Sequence, residues 1–467
     1  MADTKGPTAV SIIAAHAANL SFDQLSETTI LRARQTVLDT IGTTLGGLQT
    51  ELGARTVEFA AKMHTGSEAS LIGDGRRSSV EGAAWANAVN SKHLGMDDSH
   101  RTAGHVAAEL IPIALALGEA HHRSGRDVVR ALSAGYDVFD AIQPHVKRYQ
   151  REKGLDHKGQ AGTLASAITA GMLLGLDEDG LANALALSMD MACGTEQYVY
   201  DAGHCDTKDL LAGYAARNGI YAAGLAAFGF RGPPGALDGP YGYYHAFGDG
   251  FDPAFLRGIG TRQALADNGF KPHAGCRHVH GGVDCAQQIL EQGPLDLGEV
   301  ESIEIGSYRG AVTPEFRADT DPPTMGLAGF SLPAAVAVTL QRGGWYREDI
   351  DHFVDPQVQA LMRRTKVYLD EAIEAAYPEK NGTVVRVHTK DGTVREGRVE
   401  YAKGEPENML SEDEFEGKFR RLVGGLLGDT EIRGILDACA RFEDLDDVGT
   451  LVRLTVPTSR RALAAAR

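Results

Sequence analysis

The sequence predicts a mainly α-helical protein that carries a smaller α+β part. Three observations lead there. From residue 28 to about residue 230, one apolar, helically spaced segment follows another with short links. After Lys271 some segments alternate polar and apolar residues, as half-buried strands do. From Ser411 the helical spacing returns. Glycine is abundant, at 56 residues, while aromatics make up only 7%. Helices packed closely through small side chains are therefore expected, rather than a sheet-dominated core.

In chain order, Ile30, Ala33, Val37, Ile41 and Leu45 form one helical stripe, which Gly46-Gly47 is expected to stop. Helices are predicted over Val80 to His93 and over His105 to Ala120. Ser124-Gly-Arg-Asp opens another, continuing through Leu132 and Tyr136 to Ile142. Thr163 to Leu174 is small or apolar on nearly every side and so must be buried. Asp177-Glu-Asp opens Leu181 to Met191, and Leu210 to Phe228 is long and Ala-rich. No alternating strand pattern occurs in this part. Arg231-Gly-Pro-Pro-Gly then breaks the series, and an aromatic, Gly-rich loop follows from Tyr241. Val300 to Ile305 and the run from Gly382 read as strands, with Asp391-Gly392 as a hairpin turn. Between them Ser331 to Leu340 is a buried helix ended by Gly343-Gly344. Ser411 to Leu427 and Glu431 to Phe442 are helical, and periodicity alone leaves open whether they rejoin the first helices.

A chain of 467 residues exceeds one ordinary core, and at roughly 150 residues per domain two or three are expected. The net charge of −17 argues against nucleic-acid binding, which needs a basic face. An anionic substrate would have to be met by local cations against that overall field. Cys193, Cys205, Cys276, Cys285 and Cys439 are odd in number and form no C-x-x-C pair, which fits a reducing compartment. The first residues lack a charged segment followed by an apolar one, so no signal peptide is expected. No apolar run reaches the ~18 residues of a membrane span. A cytoplasmic location is the expectation.

Candidate chemistry sits where polar clusters interrupt the apolar helices. The stretch from Asn87 to His105 holds Lys92, His93, Asp97, Asp98, His100, Arg101 and His105. Further clusters are Asp156-His157-Lys158, His204-Cys205-Asp206-Thr207-Lys208, and Lys271 through Cys276, Arg277 and His278 to His280. Lys208 stands near a predicted helix start, against the macrodipole, which an anionic ligand would justify. Neither a P-loop nor a G-x-G-x-x-G fingerprint, H-E-x-x-H motif or G-x-S-x-G elbow is present. His278-x-His280 with Asp97 and Asp98 is a weak metal signal, so neither metal nor cofactor is expected.

Several segments stand out in order along the chain: Val37-Leu-Asp-Thr-Ile-Gly, Trp85-Ala-Asn with Asp97-Asp98-Ser99, and Leu132-Ser-Ala-Gly-Tyr-Asp. Thr207-Lys-Asp-Leu-Leu-Ala-Gly-Tyr, Lys271 through Cys276-Arg-His-Val-His, Phe330-Ser-Leu-Pro and Gly404-Glu-Pro-Glu-Asn follow. Together they resemble the MmgE/PrpD family, which includes 2-methylcitrate dehydratase, cis-aconitate decarboxylase and iminodisuccinate epimerase. The resemblance implies a large all-helical domain (1–268 and 403–467) with a smaller α+β domain (269–402) inserted, a homodimer, and no metal or organic cofactor. It places His105, Lys208 and Lys271 on active-site positions, and Ser99 where decarboxylase-like members have Thr. Three positions depart from the pattern. Gly95 replaces the first acid of an Asp-x-Asp-Asp run, Asp156 followed by His157 takes the place of a His, and Cys276 replaces the His after the second lysine, with His278 two residues on. Ala311 to Thr324 holds no counterpart of the decarboxylase tyrosine.

What the resemblance implies chemically is breaking a bond α or β to a carboxylate without a cofactor. Lys208 and Lys271 would stabilise the dianionic aci-carboxylate, with Asp97, Asp98, Ser99 and Arg277 binding substrate. His105, Asp156, His157, Cys276 and His278 are the acid–base candidates. A dehydratase-like lyase of a small hydroxy-polycarboxylate is the first reading. An epimerase or isomerase of a small dicarboxylic or amino-dicarboxylic acid is the alternative, and a family member that binds without turnover is a third.

Overall fold

Small side chains set how closely the helices meet. The computed structural model describes residues 6–100, 104–201, 205–248, 250–313 and 317–458. Helices α1 (Ala9–Asn19), α2 (Glu27–Leu48) and α3 (Glu51–Met63) lead into a hairpin of β1 (Ala69–Ser70) and β2 (Arg77–Ser78). Then come α4 (Val80–His93), α5 (Ala107–Ala120), α6 (Gly125–Lys153), α7 (Thr163–Leu174), α8 (Glu178–Ser188) and α9 (Thr207–Ala227). Side chains of Ser26, Thr50, Ser79 and Asp177 accept first-turn backbone N–H groups of α2, α3, α4 and α8, which fixes those starts.

Three details differ from the sequence reading. First, α2 runs through Gly46-Gly47 to Leu48. A Cβ on Gly47 would lie 2.0 Å from the Asn90 carbonyl oxygen of α4. That glycine therefore serves helix contact and not helix termination. Second, α6 passes Ile142 and Pro144 to reach Lys153. Third, the β1–β2 hairpin pairs two residues with two, too few for any alternation to show.

After α10 (Tyr243–Ala246) come α11 (His280–Glu291), β3 (Val300–Ser307), α12 (Met325–Ala328), α13 (Leu332–Arg342), α14 (Arg347–Ile350) and α15 (Pro356–Arg363). β4 (Thr365–Leu369), α16 (Glu371–Ala376), β5 (Thr383–Thr389) and β6 (Val394–Val399) complete this part. The sheet order is β4-β3-β5-β6, antiparallel except that β4 runs parallel to β3, with Ile303 opposite Thr365. Asp391-Gly392 turns β5 into β6 as expected, with Gly392 at φ +86°. β4 is an edge strand whose residues are only partly buried or exposed, so it lacks the alternation that would mark it in the sequence. The chain ends in α17 (Glu412–Val423), α18 (Asp429–Ala440) and α19 (Gly449–Leu454).

Two main hydrophobic cores result. One joins side chains of α1–α9 to Phe419, Val423, Ile432 and Ile435, so the C-terminal helices return to the first helices. The other gathers Val283, Ile289, Ile303, Ile305, Leu332, Val336, Trp345 and Val385 between sheet and helices. Three chain segments cross where the cores adjoin. The Ser99 N–H donates to the Gly269 carbonyl at 2.9 Å, and the Phe270 N–H to that of Gly404 at 2.8 Å. We propose two domains dividing near this crossing, on the support of the separate cores. Among the described residues no helix is long and apolar enough to cross a membrane.

Gly47→Ala is expected to cost about 1–3 kcal/mol through overpacking. Thermal unfolding followed by circular dichroism should show a fall of several degrees, and an unchanged midpoint would refute the close-contact role.

Candidate active site

The end of α4, the loop after it and the segment entering the second core converge on one carboxylate. Asp97 is buried, and it accepts from Lys92 Nζ at 2.5 Å and from Lys271 Nζ at 2.8 Å. His105 Nδ1 lies 3.2 Å from Asp97 Oδ2 and 2.6 Å from the Asp98 backbone carbonyl. Burial alone would raise the Asp97 pKa, but Lys271, Lys92 and His105 together hold it well below the usual carboxylate range. Its neighbour responds oppositely. Burial first, and the Asp97 charge second, push Asp98 up to about 7. Asp98 Oδ2 accepts from the Val106 N–H at 3.2 Å and the Tyr136 hydroxyl at 3.1 Å.

The bases are tuned by the same surroundings. Burial, with the nearby ammonium charges, pushes Lys271 down to about 8. Burial, Lys271 and Lys92 keep the His105 pKa well below its usual value, so its ring is neutral. A carbonyl oxygen only accepts, so His105 Nδ1 carries the hydrogen and Nε2 holds a lone pair. On α5, a turn beyond His105, buried Glu109 has no hydrogen-bond partner for either oxygen among the described residues. Desolvation holds that carboxyl well above its usual pKa.

A second ion cluster stands beside the first. Asp156 Oδ2 accepts from Lys158 Nζ at 2.7 Å and the Tyr198 hydroxyl at 2.8 Å. Its Oδ1 accepts from the Lys158 and Gly159 N–H groups. Burial opposes the charge, yet Lys158 and His157 hold Asp156 far below the usual range, and Lys158 is raised in turn.

A cavity of about 350 Å³ opens between these clusters and the second core. Of the residues singled out from the sequence, Ser99, His105, His157, Lys208, Lys271, Cys276, Arg277 and His278 line it. Asp97, Asp98 and Asp156 stand behind its wall, bound to wall residues. The His105 and His157 rings are 5.9 Å apart. Lys208, at the start of α9, lies 5.8 Å from the Phe330 ring centre and has no carboxylate partner among the described residues. Arg277 is engaged elsewhere, donating to Glu405 Oε1 at 2.6 and 2.8 Å and to the Lys403 carbonyl. His204 and Arg101 lie outside the described residues.

Among the lining tyrosines that sequence reasoning passed over are Tyr198 and Tyr308. Both are largely buried and read as core aromatics, and no local motif distinguishes them. It named Lys92 and Lys158 in clusters without assigning them a role. Among described residues lining the cavity or ion-paired to it, Lys92, Lys158, Lys208, Lys271 and Arg277 outnumber the acids Asp97, Asp156, Glu196 and Glu405. The surplus is positive.

Two groups, Asp97–Asp98–His105 and Asp156–His157–Glu196, place three donor atoms within 4.8 Å of one another. In each, ammonium groups already hold the ionised Asp. A divalent cation would have to displace them, so these donor sets suit lysines and not a metal.

The MmgE/PrpD N-terminal domain model matches residues 11–256, and the MmgE/PrpD C-terminal domain model matches 273–441. The chain is 25% identical to a cis-aconitate decarboxylase of Aspergillus terreus, over 97% of both chains. It is 25% identical to a cis-aconitate decarboxylase of Homo sapiens, over 93% of this chain and 92% of that one. The Mus musculus enzyme of the same name is 24% identical, over 93% and 91% respectively.

In the folded protein Asp98 holds a proton up to about pH 7, whereas an unfolded aspartate releases it near pH 4. Between those values the folded state binds the extra proton, so this group's contribution to stability falls as pH rises and stays low above 7. Asp98→Asn mimics the neutral form. Its midpoint relative to wild type should be higher at pH 8 than at pH 5, as read by differential scanning fluorimetry. A pH-independent difference would refute the raised value.

Proposed function

The chain belongs to the MmgE/PrpD family, and from that premise we propose that it is a cofactor-independent lyase, dehydratase-like, acting on a small hydroxy-polycarboxylate. The observation that carries this reading is the surplus of lysines around one cavity in a protein of net charge −17. Such a surplus suits an acid with two or more carboxylates. The names of the relatives, which act on cis-aconitate, agree with that class.

In this mechanism Lys208 and Lys271 receive the substrate carboxylate. The His105 Nε2 lone pair takes the proton on the carbon next to it, and His105 becomes an imidazolium beside Asp97. The electron pair passes into the carboxylate, whose second negative charge the two ammonium groups meet. That pair then forms the new C=C bond as the β-hydroxyl leaves, taking the proton back from the His105 imidazolium and departing as water. The partners nearest those charges, Asp97, Lys92 and Lys271, are themselves buried, which strengthens the charge contacts between them.

A second reading is epimerisation, favoured by lining histidines from both parts of the chain, His105 and His157 from the helical part and His278 from the second. A homodimer belongs to the same proposal. Its support is the exposed aromatic set Tyr221, Phe228, Phe230 and Tyr241.

Proton NMR in D₂O with citrate-like, aconitate-like and succinate-derived acids tests the reading. Deuterium entering next to a carboxylate together with an unsaturated product supports the lyase. Deuterium entry without net product supports the epimerase, and neither across the panel refutes both. Lys208→Met, which breaks no ion pair among the described residues, should lower kcat/KM by about 10²–10³. Its melting midpoint should stay within a few degrees of wild type, and a large loss of stability would make Lys208 structural.

A further inference from the structure

Two of the histidines that line the cavity are wired in opposite senses. His105 donates through Nδ1 to a carbonyl, which leaves its Nε2 as an acceptor. His278 Nδ1 instead lies 2.6 Å from the Tyr308 hydroxyl. Tyr308 follows directly on β3, is 4% exposed, and stacks on Tyr377 with ring centres 4.5 Å apart at 9°. Its hydroxyl has no other hydrogen-bond partner among the described residues. A buried phenol that donated nowhere would forfeit the desolvation cost of its O–H. It therefore donates to His278 Nδ1, and the hydrogen of that imidazole sits on Nε2.

Resting on the lyase reading above, we propose that His278 serves as a fixed hydrogen-bond donor to a substrate oxygen, and that Tyr308 is the positioning residue that keeps its N–H in place. The phenol is suited to the task because burial raises its pKa and keeps it protonated. A neutral imidazole held in one tautomer polarises a carboxylate or hydroxyl oxygen without giving up its proton. No bond forms or breaks at His278. The proton that His105 takes from carbon is the one returned to the β-oxygen that leaves as water, while the electron pair passes by way of the carboxylate into the new double bond. This wiring also separates the two readings. Epimerisation needs a base on each face, and a histidine locked as a donor supplies none.

Nitrogen-15 NMR of histidine-labelled full-length protein, with His278 assigned by its loss in a variant, reads the tautomer without any substrate. Expected is a protonated Nε2 and a bare Nδ1 at His278, the reverse at His105, and loss of the single-tautomer signal in Tyr308→Phe, which keeps the ring stack. A hydrogen on Nδ1 of His278 overturns the proposal. Kinetics supply a second test on whichever panel acid reacts. His278→Gln places an amide N–H near the ring Nε2 and should stay within about tenfold of wild-type kcat, while His278→Glu, a base there, should lose about a hundredfold or more. The opposite ranking overturns the donor role. If no acid reacts, the lyase reading has failed and the NMR result alone decides the tautomer.

Discussion

Asp97 is one buried carboxylate shared by two buried ammonium groups, and the arrangement of the site follows from it. Isolated in the interior, any of the three charges would cost several kcal/mol of solvation. Together they are tolerable only if the last turn of α4, the loop after it and the entry to the second core all hold still. The sequence meets that demand with backbone contacts at the crossing of residues 98–99, 269–270 and 404. The adjacent Asp98 shows the reverse side of the same constraint. With Asp97 ionised beside it, a second charge is disfavoured, and Asp98 acts as a hydrogen-bonding post for Val106 and Tyr136.

Much of this was legible in the sequence, for identifiable reasons. Helices such as α4 and α7 were placed to the residue because their burial is periodic or complete and Ser79 caps the first of them. The reading of Gly46-Gly47 as a stop failed because the glycines answer to a partner helix, which periodicity cannot see. β4 was missed because an edge strand owes its existence to its neighbour. At the site, charge density singled out Lys271 and the loop from Asp97 to His105. Resemblance, not spacing, joined them to Lys208. Tyr308 escaped notice because a tyrosine ending a strand is an ordinary core residue until its hydroxyl is found against His278.

The electrostatics work at two ranges. At long range the chain is strongly acidic, with a sequence pI near 5.4, which does nothing to gather anions. Within the cavity, unscreened contact replaces steering, since salt acts beyond about 8–10 Å in water and far less inside a protein. Attraction for the acid proposed above therefore rests on the cavity's own cations and not on the overall field.

The cavity's two sides have unequal inheritances. Lys92, Lys158 and Lys208 come from the helical part, whose ion pairs are locked into its core. Cys276, His278, Tyr308 and Phe330 come from turns and loop segments at the rim of the second core. Substitution there leaves the buried charge network untouched. On the function proposed above, exchanging rim positions alters which bond breaks, while the lysines of the helical part still receive the carboxylate.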